Sequence, residues 1–175
     1  MGAAPVLETA RLTLRPLRAD DLPAHAAAMG DAETVRFLGG TPFSREDTWR
    51  KMLTGPALWD WLGYGYWTAE RRDDGRAIGQ IGFADFKRDI APDIEGIPEM
   101  GWVFARDVGG EGYASEAAAA ALDWADRVLQ AGEIVAIIDP DNARSIRIAE
   151  KSGFAIREPA IYRGEPILLF RRKLP

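Results

Sequence analysis

Between the apolar stretch Glu99 to Phe104 and an alanine-rich segment beginning at Ala114, the chain reads Gly109-Gly110-Glu111-Gly112-Tyr113. Glycines between a strand and a helix permit positive φ and let backbone N–H groups approach a ligand, while the helix N-terminus adds partial positive charge. The segment therefore constrains the fold to strand, tight loop and helix in that order. It reads either as a phosphate cradle or as a glycine-rich turn chosen for geometry alone. The Gly-Lys-Ser/Thr ending of a Walker A loop is absent, and the spacing is not that of the dinucleotide fingerprint.

Gly112 to Gln130 is expected to be one long helix. Ala114, Ala118, Ala121, Ala125 and Val128 recur at three- or four-residue spacing, and Ala117, Leu122 and Leu129 widen the stripe. Such small side chains bring a helix close to a sheet. Glu116, Asp123, Asp126, Arg127 and Gln130 then fall on the solvent side.

Upstream, Leu12 to Arg15 alternates as a strand closed by Pro16, and Asp20-Asp21 heads an alanine-rich helix ending near Gly30. Ser44 with Asp47 has capping-box spacing, and Gly55-Pro56 is expected to end or kink the helix it starts. Strands follow at Tyr66 to Glu70 and Ile78 to Phe86 around a turn at Asp73-Asp74-Gly75, with Pro92 and Pro98 bounding a loop. Downstream come a strand at Glu133 to Asp139, a helix at Asn142 to Ser152 closed by Gly153, and a hairpin turning at Arg163-Gly164-Glu165. Strands before the long helix and strand-helix-strand after it give a mixed α/β sheet with at least one parallel pairing.

Composition narrows the chemistry. The 175 residues suit a single domain, and 22 Lys+Arg against 27 Asp+Glu give a net charge of −5. That balance argues against a chain that works by neutralising nucleic-acid phosphates. With no cysteine there is no disulfide, thiolate metal site or covalent thiol catalysis, and with one histidine there is no multi-histidine metal centre. His25, in Leu22-Pro23-Ala24-His25-Ala26-Ala27-Ala28, reads as a helix-surface residue. No apolar run approaches membrane-span length and no N-terminal signal is present, so the expectation is a cytoplasmic protein without membrane partners.

A second motif, Asp141-Asn142-Ala143-Arg144-Ser145-Ile146-Arg147 leading to Glu150-Lys151-Ser152-Gly153-Phe154, begins where Glu133 to Asp139 ends. With Leu12-Thr13-Leu14-Arg15-Pro16, Gly65-Tyr66-Trp67, Ile78-Gly79-Gln80-Ile81-Gly82, Glu99-Met100-Gly101-Trp102 and the glycine loop, it appears in an ordered set along the chain. In that order and spacing the chain resembles the GNAT superfamily of acyl-CoA-dependent N-acetyltransferases, in the branch of RimJ/RimL-type ribosomal-protein N-terminal acetyltransferases.

The resemblance implies a single GNAT-like α/β (α+β) domain over residues 1–175. It has a central mixed, mostly antiparallel twisted sheet with one splayed parallel strand pair, and helices on both faces. It implies acetyl-CoA as co-substrate, no metal, and an amine acceptor that is a small molecule or a protein N-terminus. The pyrophosphate would lie on the loop Gly109, Gly110, Glu111, Gly112, Tyr113 and Ala114, and the pantetheine arm between Glu99–Phe104 and Glu133–Asp139. Asn142 would bond that arm, or simply cap its helix. Ser145 would stand near the leaving sulfur, or bond its own backbone. Homodimers are common in the superfamily, and no feature of this chain specifies an interface.

Strand alternation puts Met100, Trp102 and Phe104 on one face and Glu99, Gly101 and Val103 on the other. A carboxylate beside a missing side chain leaves room for an acyl group over Gly101, with a backbone N–H near Val103 or Phe104 for its carbonyl oxygen. Glu99 is the candidate general base, working through water, with a strand salt bridge as the competing role. Trp49, Trp59, Trp61 and Trp67 crowd together with Tyr64 and Tyr66. Trp59, Trp61, Tyr64 and Tyr66 are read as acceptor-binding, against a satellite-core alternative, with Trp67 structural.

Three positions depart from the pattern that the resemblance implies, the first being Gly109, which stands where an aromatic often precedes the loop's first glycine and loosens the turn. Asp107 and Glu111 put carboxylates where relatives carry basic or amide groups, and Arg106, Arg144, Arg147 and Lys151 are the candidate compensating cations. These changes leave open a non-catalytic acyl-CoA-binding or regulatory domain.

Overall fold

The computed structural model describes residues 4–129 and 131–175. Its nine strands are β1 (Leu7–Glu8), β2 (Leu12–Arg15), β3 (Tyr66–Arg71), β4 (Ala77–Ala84), β5 (Ile90–Ala91), β6 (Glu99–Phe104), β7 (Glu133–Ile138), β8 (Ile156–Tyr162) and β9 (Glu165–Lys173). They form one sheet in the order β1-β2-β3-β4-β6-β7-β9-β8-β5, in which only β6 and β7 run parallel. The helices are α1 (Leu22–Gly30), α2 (Ala32–Val35), α3 (Arg45–Leu62), α4 (Tyr113–Val128) and α5 (Ala143–Lys151).

Helices lie on both faces. His25 of α1 meets Thr68 on one face of β3, while Trp124 of α4 packs on Trp67 and Phe83 on the opposite face. On the α4 face, Ala117, Ala118, Ala121 and Ala125 are buried against sheet residues including Ile81 and Met100. Trp59, Trp67, Phe83 and Trp124 form a mostly edge-to-face aromatic cluster there, with the Trp59–Trp67 ring centroids 4.8 Å apart.

The expected hairpin, the strand at Glu99–Phe104 and the helix after Asn142 are all present. Five local expectations are corrected. Gly55-Pro56 does not end α3, which continues to Leu62 and stops at Gly63 in the left-handed conformation. Met52 and Trp59, on either side of Pro56, are both buried, and their packing holds the turn that Pro56 weakens. The strand expected to reach Phe86 ends at Ala84.

His25 is not on a helix surface but 5% exposed against the sheet, and this burial pulls its imidazole below the usual range. Glu116, assigned to solvent, accepts from the Thr9 hydroxyl at 2.6 Å and from Arg11 Nε at 2.7 Å, tying α4 to the first strands. Val128 is exposed where the stripe placed it inward, because the helix ends there; Gln130 lies outside the described residues.

Candidate active site

The site begins as a defect in the sheet. β4 and β6 are in register over six residue pairs and β7 and β9 over six, yet β6 and β7 pair only at Glu99↔Val135. Val135 N–H donates to Pro98 C=O at 3.0 Å, and beyond that point the parallel strands diverge. Ala105 N–H donates to Ile78 C=O at 2.8 Å on the β4 side. Because successive N–H groups alternate, Val103 and Gly101 also point at β4, whereas Trp102 and Phe104 turn their N–H groups into the gap. Of the two backbone donors expected near the acyl oxygen, Phe104 therefore faces the gap and Val103 does not.

Both divergent strands run into helix N-termini at the same end. β6 leads through Gly109–Gly112 into α4, and β7 leads through Asn142 into α5. Gly110 and Gly112 have φ of +88° and +84°, which a side chain would strain, whereas Gly109 at −65° is ordinary backbone. Among the described residues no side chain caps α4. Its first intrahelical bond runs from Glu116 N–H to Gly112 C=O, leaving the N–H groups of Tyr113, Ala114 and Ser115 available to an anion. Arg11 fixes the loop from beneath: its Nη1 donates to Glu111 C=O at 2.9 Å, and its guanidinium lies over the Tyr113 ring at 4.3 Å.

The two unusual carboxylates behave differently. Asp107 pairs with Arg76 at 2.7 Å, and that contact holds its carboxyl below the ordinary range. Glu111 is exposed, and among the described residues its carboxylate makes no ion pair. Of the four candidate cations Arg144 reaches the loop, with Nη1 lying 3.5 Å from where a side chain on Gly109 would begin. Arg106 faces Asp31 electrostatically, while Arg147 and Lys151 are exposed on α5.

On α5, Asn142 Oδ1 accepts from Ser145 N–H at 3.1 Å, so Asn142 is an N-cap whose amide NH₂ has no partner among the described residues. The Ser145 hydroxyl is half-buried and, among the described residues, unpartnered.

Glu99 is buried, and both its oxygens accept from Arg88, at 2.5 Å from Nε and 2.8 Å from Nη2. Arg88 lies between the Phe86 and Tyr162 rings, each 4.8 Å from its guanidinium carbon. The space expected over Gly101 holds the Tyr66 hydroxyl, which a side chain there would strike. Burial, with the Glu99 carboxylate adding to it and Arg88 opposing, pushes the Tyr66 phenol above its usual range.

The other aromatic candidates lie elsewhere. Trp59 belongs to the core cluster and donates from Nε1 to Tyr66 C=O at 3.1 Å, Tyr64 packs at the core's edge, and Trp61 is 82% exposed. Sequence reasoning missed Arg11, Arg76, Arg88 and Tyr162. A buried strand glutamate signals that some cation must answer it, but nothing local says which.

A mixed sheet whose sole parallel pair splays toward two helix N-termini, one of them uncapped, defines a site for a long ligand with an anionic group. The Acetyltransferase (GNAT) domain family matches residues 11–155, and the chain belongs to that family. It is 39% identical over 115 residues to the uncharacterized protein YkkB of Bacillus subtilis (strain 168), a match spanning 63% of this chain and 63% of that protein. It is 32% identical to the uncharacterized N-acetyltransferase YoaA of the same organism, over 86% of this chain and 82% of that one. The acetyltransferase of Agrobacterium tumefaciens str. C58 superimposes with a TM-score of 0.81 at 32% identity, covering 97% of this chain and 94% of that one. At 16% and 17% identity, RimL in complex with coenzyme A and the aminoglycoside acetyltransferase AAC(6')-Ib in complex with coenzyme A share the fold, with TM-scores of 0.77 and 0.75. The family's general chemistry is acetyl transfer from acetyl-CoA to amines. Among the described residues no cluster of three His, Cys, Asp or Glu side chains could hold a metal, and no helix is long and apolar enough to cross a membrane.

Proposed function

We propose that this chain transfers the acetyl group of acetyl-CoA to a primary amine, a protein N-terminus or a small-molecule amine, by direct attack in a ternary complex. One observation carries the reading: β6 and β7 pair at a single position and then open beside an uncapped helix N-terminus. The gap offers a strand-like partner to an extended pantetheine amide chain, and the free N–H groups of Tyr113, Ala114 and Ser115 offer a pyrophosphate site. Gly110, Glu111 and Gly112 supply the loop backbone on the way to it.

In this reading the acetyl carbonyl oxygen accepts from the Phe104 N–H, a fixed donor where negative charge develops as the amine adds. Glu99 takes the proton that the ammonium form must lose. Arg88 occupies one position on each carboxylate oxygen and leaves a further lone pair on each for a water. The C–N bond forms as the C–S bond breaks, and the thiolate takes a proton by way of the Ser145 hydroxyl. The Asn142 NH₂ donates to the pantetheine arm. No covalent enzyme intermediate is needed, since the chain has no cysteine and no other activated nucleophile.

The RimJ/RimL resemblance favours a protein N-terminus as acceptor and the cytoplasm as setting. The alternative, a non-catalytic acyl-CoA-binding domain, drew support from two acidic loop positions, one of which Arg76 neutralises. A thiol-release assay tests the choice, and a chain without cysteine gives it no background. Acetyl-CoA is incubated with a panel of N-terminal peptides, amino acids, polyamines and aminoglycosides. Acceptor-dependent thiol release that drops about 100-fold in Glu99→Gln, with acetyl-CoA binding retained, supports the reading. Binding without release for any amine leaves the binding-module alternative in its place.

A further inference from the structure

Given an acetyltransferase site at the β6–β7 gap, we propose that the Tyr66 hydroxyl is a catalytic group that relays the acceptor amine's proton to Glu99. Tyr66, Gly82 and Gly101 are register partners across three adjacent strands, Tyr66↔Gly82 and Gly82↔Gly101. Residues so aligned project from one face, and two of the three have no side chain. The phenol can therefore lie across the sheet and bring its hydroxyl over Gly101, where an added Cβ would collide with the oxygen. At Gly82 an added Cβ would strike the backbone of Gly65 and Tyr66, so the row is closely packed. Its result is one hydroxyl two positions along β6 from Glu99 and on the same face.

Among the described residues that hydroxyl has no hydrogen-bond partner, although Tyr66 is mostly buried. Its oxygen is not sealed from solvent, so the unused donor and lone pairs are open to a water or a ligand. The charged groups acting on it are Glu99 from β6 and Arg88 from the β4–β5 loop; burial and the Glu99 carboxylate favour the protonated phenol, and Arg88 opposes them. A neutral hydroxyl can accept one proton while donating another, which a carboxylate pinned by Arg88 cannot do by moving toward the amine.

The step balances without a redox partner. The ammonium acceptor passes one proton to the Tyr66 oxygen as Tyr66 releases its own proton, through a water, to the Glu99 carboxylate. The free amine attacks the thioester carbonyl, the C–N bond forms and the C–S bond breaks. The second proton lost from nitrogen ends on the thiolate, and Glu99 returns the first to solvent.

The test measures steady-state thiol release for wild type, Tyr66→Phe, Glu99→Gln and the double variant, with thermal melts and acetyl-CoA titrations alongside. Tyr66→Phe keeps the ring and removes only the oxygen, and kcat is expected to fall on the order of 100-fold with KM for acetyl-CoA and Tm unchanged. Groups acting in series are not additive, so the double variant should be no slower than the slower single. Wild-type kcat in Tyr66→Phe, a double variant slowed by the product of the singles, or equal losses in acetyl-CoA binding and turnover would each overturn the relay. A folded wild type that acetylates no amine in the panel removes the acetyltransferase reading and the relay with it, and that result appears before any variant is measured.

Discussion

Arg88 and Glu99 form a two-point ion pair in which the carboxylate side chain is 8% exposed and the guanidinium side chain 22%. The pair holds a charged group in one orientation on the face of the sheet that Glu99 shares with Gly101. The loop between β4 and β6 carries Arg88 there, and β5 within that loop pairs with β8 at Ile90↔Tyr162, bringing the Tyr162 ring onto Arg88. Arg88→Gln leaves a buried carboxylate without its cation, at a cost of about 3 kcal/mol. Urea unfolding should show that loss, and thiol release should show kcat reduced along with it. Unchanged unfolding midpoints would mean that water replaces Arg88 at no cost.

Glu111→Lys and Arg76→Gln should have opposite effects. Glu111→Lys removes an unpaired carboxylate beside the proposed pyrophosphate position, so acetyl-CoA should bind about threefold to tenfold more tightly at low salt. Arg76→Gln uncovers Asp107 and should weaken binding by a similar factor. Both effects should shrink as ionic strength rises, which titration calorimetry at two salt concentrations reads directly.

His25 links stability to pH. Its folded-state imidazole titrates below its unfolded value because burial disfavours the charged form, with Asp21 opposing and Arg15 assisting. The unfolded chain therefore binds the extra proton first. Stability is full above about pH 6.5 and falls as pH drops from there toward the folded value, by at most about 1.4 kcal/mol per unit. Urea unfolding at pH 7.5 and 5.5 should show this loss in wild type and a smaller one in His25→Phe.

Trp59 and Trp61, two positions apart on α3, should give contrasting variants. Trp59 is 6% exposed among Trp67 and Trp124, and Trp59→Ala should cost about 3–5 kcal/mol. Trp61 stands in solvent, and Trp61→Ser should shift stability by less than about 0.5 kcal/mol. Thermal melts of the two variants separate core from surface.

That contrast also marks where sequence reasoning stops. Period and punctuation locate α4, β6, β7 and α5, because the alanine stripe, the glycine loop and the Asn142 cap are local signals. Register is less local. The row Tyr66, Gly82 and Gly101 depends on three strands being aligned, and no segment alone reveals that a tyrosine reaches across two glycines. Long-range charge pairing is less legible still: Arg11 with Glu116, Arg76 with Asp107 and Arg88 with Glu99 come from loops or strand ends whose partners only tertiary structure selects. At Pro56 the end of the helix does not occur, since α3 runs through this local breaker with Met52 and Trp59 buried on either side of it.

In the proposed function, the single-point contact between β6 and β7 opens a site for acetyl-CoA. Isothermal titration of the wild-type chain with acetyl-CoA tests it most directly, with Arg144→Glu alongside because Arg144 reaches the glycine loop. Gly112→Glu is a poorer control, since φ of +84° would add backbone strain to charge repulsion. Saturable one-to-one binding by wild type is expected, at least about tenfold weaker in the variant. A folded wild-type chain that shows no saturable binding of acetyl-CoA would contradict the proposed function.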